Sequence, residues 1–134
     1  MINRLDEQFR LQRAALGALT YRQELLASNI ANADTPHYKA RDIDFKAALA
    51  TAVAGQQAAS VGLSVTSRGH MAGSAEARLA GATRYRTEFQ PSADGNTVNM
   101  DIERGAFAEN ALRVEAAMTF INGDFKTLQM ALSQ

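Results

Sequence analysis

Few residues in this chain have the type and spacing that chemistry requires. Asp42 and Asp44 stand two apart, as metal-ligating carboxylates can. No third acidic ligand and no Gly-turn loop follows, so helix capping is the expected use of this pair. His37 and His70 are the only imidazoles, which leaves no multi-His metal site, and both read as loop histidines. With no Cys there is no disulfide, no thiolate ligand and no Cys nucleophile. Ser67, His70 and Glu76 could be drawn as a triad, but they lie in a Gly-rich stretch without a G-x-S-x-G elbow. There is neither a phosphate-binding glycine loop with Lys nor an H-E-x-x-H pair. No catalysis, cofactor or small-molecule substrate is expected.

The elements that would position these groups are mostly helical. The chain has 134 residues, 46% of them hydrophobic, with 14 basic and 14 acidic side chains. That is one domain's worth of folded protein. A net charge of zero argues against nucleic acid as partner, because phosphate binding needs a surplus of Lys and Arg. MINRLDEQFR carries four charges, so no secretory apolar segment is expected there. The charge-free run Ala47–Ser67 is too polar to cross a bilayer.

Both prolines and six of nine glycines fall between Asp34 and Val98, which confines irregular structure to the middle. Residues 1–33 and 99–134 each carry a heptad pattern. In the first, Ile2, Leu5, Phe9, Gln12, Leu16, Leu19, Gln23, Leu26, Ile30 and Ala33 form a seam, eight of ten apolar. Gln12 and Gln23 are either register-setting polar residues or edge residues touching water. In the second, the seam reads Met100, Arg104, Phe107, Ala111, Val114, Met118, Ile121, Phe125, Leu128 and Leu132, nine of ten apolar. Leu112 and Phe120 lie beside it and widen it. Thr35-Pro36 stops the first helix. Asn99, Asp101 and Glu103 suit the N-terminus of the second.

The expected fold is mainly α: two long terminal helices in an antiparallel, coiled-coil-like pair. The middle, 34–98, is expected to be loop-rich, with a short helix near 42–54 and weak strands at Leu63–Thr66 and Arg84–Phe89. Two helices alone bury too little to be stable, and the middle is expected to offer no third layer. Other chains are therefore expected to cover the remaining apolar width.

Residues 27–45, ASNIANADTPHYKARDIDF, resemble the signature of bacterial flagellar axial proteins, the rod and hook class, close to ASNIAN-x-x-TPGYK. DIERGAFAENALRVEAAMTFINGDFK, from Asp101 to Lys126, is similar to the proximal rod members of that family. His37 stands where the family usually has Gly, a residue suited to positive φ.

The resemblance implies a self-assembling structural protein of the proximal rod, crossing the periplasm and transmitting torque. Its implied partners are copies of itself, other rod proteins, a rod-to-membrane-ring adaptor and the flagellar export gate. Ser28, Asn29, Ile30, Asn32, Thr35, Pro36, Tyr38 and Lys39 are the implied interface. The resemblance also implies unfolded export from the cytoplasm by the type III apparatus, without a cleaved signal. Ile2 and Leu5 would match its N-terminal hydrophobic element, and Phe45 with Leu49 its Phe-x-x-x-hydrophobic motif. A helical-hairpin adaptor or chaperone, binding a partner helix through an open seam, is the alternative reading.

Overall fold

The computed structural model describes residues 2–53, 81–87 and 92–133, and the side chains within 9–50, 81–87 and 92–133. The fold is mostly helical. Helix α1 spans Ile2–Ala31 and α3 spans Met100–Leu132, with the short helix α2 at Phe45–Val53 between them. Strands β1 (Arg41–Ile43) and β2 (Thr83–Tyr85) pair antiparallel, with Arg41 opposite Tyr85, Asp42 opposite Arg84 and Ile43 opposite Thr83. Leu63–Thr66, Ser67, His70 and Glu76 lie outside the described residues, as do the side chains of Ile2 and Leu5.

At ~1.5 Å per residue, the 30 and 33 residues of α1 and α3 make rods of about 45–50 Å. They run antiparallel. Phe9 stacks on Phe125 with ring centroids 5.0 Å apart at one end, and Asn29 meets Glu103 at the other. Local chemistry fixes the starts of α2 and α3. Asn99 caps α3, its Oδ1 accepting from the N–H groups of Asp101 and Ile102, with Asp101 and Glu103 in the first turn. Asp44 caps α2 by accepting from the Ala47 N–H at 3.0 Å. Asp42, expected to share that capping role, sits in β1 and binds arginines instead.

The middle region does supply a third layer, which corrects the expectation that it would not. Ala18 and Leu25 of α1 pack with Ile43, Ala48 and Ala82, flanked by Tyr21 and Phe45. This is a second apolar stripe on α1, separate from the one facing α3. Tyr21 anchors it to β2 through a 3.2 Å hydroxyl contact with Thr83.

On α3 the seam also departs from expectation. Met100, Phe107, Val114, Ile121 and Leu128 are half-buried as anticipated, but the alternating positions are not Arg104, Ala111, Met118, Phe125 and Leu132, which are exposed. The covered line runs instead through Glu103, Asn110, Ala117 and Asp124. Three of those four are polar, so a search for apolar periodicity selects the neighbouring line.

Candidate assembly surface

Every described side chain at an expected α1 seam position, from Phe9 to Ala33, is buried or half-buried, with Leu19 and Leu26 buried. Gln12 and Gln23 bond to α3. Gln12 Nε2 donates to Asp124 Oδ2 at 2.6 Å, and Asn110 Nδ2 donates to Gln23 Oε1 at 2.6 Å and to the Leu19 carbonyl at 2.9 Å. Gln23 Nε2 reaches the Phe107 carbonyl at 3.5 Å. Gln12 Oε1 and Asn110 Oδ1 remain buried with no donor among the described residues. Each such orphan costs about 1–3 kcal/mol, so this seam is not built for greatest stability.

The signature segment forms the junction at the far end of the helix pair. Asn29, fully buried, accepts at Oδ1 from the Arg41 N–H at 3.1 Å and the Tyr38 hydroxyl at 3.3 Å. Its Nδ2 donates to the Arg41 carbonyl at 2.8 Å and to Glu103 Oε2 at 3.1 Å. Ser28 Oγ lies 3.1 Å from the Tyr38 hydroxyl. Asn32 Nδ2 donates to the Ser28 carbonyl at 2.8 Å, and its Oδ1 accepts from Thr35 Oγ1 at 3.2 Å. The extended piece after Pro36 therefore lies along its own chain. Ile30 is half-buried, while Pro36 and Lys39 are exposed.

Asn96 ties down the turn after α1 from a distance. Its Nδ2 donates towards the carbonyls of Asn32, Ala33 and Thr35 at 3.1, 2.7 and 2.9 Å, all in the turn beyond Ala31, the last residue of α1. His37 adopts φ 60, the left-handed conformation that glycine takes most readily. Its N–H donates to the Asp94 carbonyl at 3.0 Å. Sequence reasoning missed Asn96, because nothing local marks an amide that holds a turn more than sixty residues away.

A row of charges ties the strands to both helices. Asp42 accepts from Arg22 at 2.8 Å and from Arg86 at 2.6 Å, and Arg86 Nη1 donates to Glu103 Oε1 at 2.6 Å. Burial pushes the Asp42 carboxyl up. Hydrogen bonds from Arg22, Arg86 and the Ile43 N–H outweigh that and hold it below the ordinary carboxylate range. The bond to Asp42 raises the Arg22 guanidinium in turn, against its own burial. Glu103 is 1% exposed, and both its oxygens have donors. Sequence reasoning placed it only as a first-turn acid, since its partners lie in α1 and beside β2.

Apart from Phe125, whose ring stacks on Phe9, the large apolar side chains on the outer side of α3 are given no such partners among the described residues. Leu112 is 68% exposed, Phe120 72%, Phe125 56%, Met118 46%, Met130 62% and Leu132 87%. These side chains point to several sides of the helix, and exposed apolar surface of this extent marks an interaction site. Among the described residues no cluster of His, Cys, Asp and Glu could hold a metal, and no helix is long and apolar enough to cross a membrane.

Comparison with known proteins bears on this surface. A family described as flagella basal body rod protein matches residues 9–39, which run from the Phe9 stack through the Asn29 junction. A Proteus mirabilis (strain HI4320) protein named flagellar basal body rod protein FlgB is 43% identical, over 100% of this chain and 99% of its own length. The protein of the same name from Salmonella typhimurium (strain LT2) is 42% identical, over 98% of this chain and 97% of its own. That from Escherichia coli (strain K12) is 43% identical with the same coverage.

Proposed function

The chain belongs to the flagellar basal body rod protein family, a structural and non-enzymatic one, and on that premise we propose that it polymerises into the proximal rod through the outer face of α3. The carrying observation is the set of large apolar side chains on α3, Leu112 and Phe120 foremost, that nothing in the described chain covers. At ~25 cal/mol per Å² of apolar surface removed from water, covering such a face favours association strongly. Neighbours that repeat the same unlike-face contact build an open helical array rather than a closed ring.

In this reading α1 and α3 form the inner wall of a tube in which each subunit covers its neighbour's α3. Copies of the chain, other rod proteins and a rod-to-membrane-ring adaptor occupy the contacts. The tube crosses the periplasm and carries torque. The chain reaches it unfolded through the flagellar export gate, which reads Ile2 and Leu5 and then Phe45 and Leu49. The signature residues contribute by fixing the angle at which the wall leaves the junction.

Leu112→Asp and Phe120→Asp test the proposal. Neither side chain supports the fold of the single chain, so both variants should be made and secreted at parental levels while swimming is lost. Full motility in either variant refutes assembly through this face.

A further inference from the structure

The two sides of α3 are coded differently, and the polar code lies on the covered side. Apolar periodicity alone selects the line through Arg104, Ala111, Met118, Phe125 and Leu132 as the partner of Met100, Phe107, Val114, Ile121 and Leu128. The structure leaves that line exposed and covers Glu103, Asn110, Ala117 and Asp124 instead. At ~100° per residue, the two choices differ by a roll of α3 of roughly 50°.

Hydrophobic attraction does not account for the roll, since the uncovered line is the more apolar one. Three polar contacts do. Asn29 meets Glu103 at 3.1 Å, Gln23 meets Asn110 at 2.6 Å and Gln12 meets Asp124 at 2.6 Å. On α3 these residues share one heptad position, with Ala117 the only apolar member between them. The junction pins the Glu103 end through Arg86. Asp124 lies twenty-one residues further on, where the seam itself must choose the face.

We propose that Gln12–Asp124 and Gln23–Asn110 set the roll of α3 on α1 and thereby hold Met118 and Leu132 on the outside, while Phe125 keeps only one ring face on Phe9. The unsatisfied Gln12 Oε1 and Asn110 Oδ1 fit this role, because a seam selected for stability alone would not keep them. The purpose of the device rests on the assembly reading, since the residues it turns outward are those offered to neighbours. Its test does not, because the roll is read on the dispersed full-length chain.

The chain has no Cys, so a single introduced thiol reports one position. Ala117→Cys and Met118→Cys are compared for maleimide labelling in the parent and in Gln12→Leu/Gln23→Leu/Asn110→Leu/Asp124→Leu, with helix content followed by circular dichroism. In the parent, the thiol at 118 should react roughly five times faster than the thiol at 117, and in the leucine variant the two should differ by less than about twofold. Three results overturn the proposal: a contrast that survives in the leucine variant, equal rates in the parent, or loss of helix content in the variant. A seam deprived only of its polar marks must stay paired. Failure of the parent itself to associate would instead count against the assembly reading and leave the labelling contrast standing.

Discussion

The carboxamide of Asn29 reads both backbone groups of Arg41, accepting from its N–H at 3.1 Å and donating to its carbonyl at 2.8 Å. A side chain at the end of α1 thus replaces a strand on the open side of β1. The remaining Nδ2 hydrogen goes to Glu103 of α3, so one residue joins helix, strand and helix. Asn29→Asp keeps an acceptor, loses both donors and sets a second carboxylate beside buried Glu103. The expected loss is roughly 2–4 kcal/mol at neutral pH, read from urea unfolding followed by circular dichroism.

Asp42 gives the junction an acid limit. Its carboxyl lies below its ordinary value of 3.8 in the folded chain, and an unfolded chain restores that value. The unfolded state therefore binds the proton more readily than the folded one. Asp42 contributes its full stabilisation above about pH 4 and loses it as pH falls towards the folded value. Unfolding midpoints should drop between neutral and strongly acid buffer, and Asp42→Asn should flatten part of that drop while lowering the neutral midpoint. An unchanged acid slope in Asp42→Asn would place the titration elsewhere.

How far these contacts could be read from sequence differs from element to element. The burial of Leu19 and Leu26 along α1 and the Asn99 cap were legible, because each is encoded within a turn or two of itself, whereas α1 ends at Ala31, ahead of the expected stop at Thr35-Pro36. The α3 seam was half legible. Val114 and Ile121 follow apolar spacing, whereas Asn110 and Asp124 hold their places only because Gln23 and Gln12 stand opposite. The Asp42–Arg86–Glu103 row and the clasp of Asn96 on the turn after α1 were illegible for the same reason: partners far apart in sequence decide them. Three apolar residues in β1, in α2 and just before β2 (Ile43, Ala48 and Ala82) meet Ala18 and Leu25 on one stripe of α1, and no single one of those segments announces a core.

His37 and Gly95 face each other across the signature turn, both at positive φ, 60 and 71. A Cβ built on Gly95 would stand 3.0 Å from His37 Nδ1, tighter than ordinary contact. Gly95→Ala therefore meets both backbone strain and the imidazole, and should cost roughly 1–2 kcal/mol. His37→Gly removes the ring and suits the backbone. In the double variant the cost of Gly95→Ala should shrink by about 0.5 kcal/mol or more, a coupling that a double-mutant cycle on thermal unfolding would read. Simple additivity would mean that the ring turns aside without penalty.

Phe45 and Leu49 have two proposed uses that can be separated. In the folded chain Phe45 packs against the Ala18–Leu25–Ile43 cluster and Leu49 is half-buried on the same short helix. In the proposed export step they are read on an unfolded chain, where packing is irrelevant. Phe45→Ala/Leu49→Ala should therefore lower both stability and secreted amount. Leu25→Ala removes a larger part of the same core, at about 2–5 kcal/mol, and leaves the motif intact. It should lower stability alone, because an export substrate that must unfold gains nothing from a tight core. Secreted protein is measured in culture medium against the intracellular pool, in cells whose rod assembly is blocked downstream. Equal secretion defects in the two variants would make export sensitive to folding and remove the motif's role, whereas a defect confined to the Phe45/Leu49 pair would assign it.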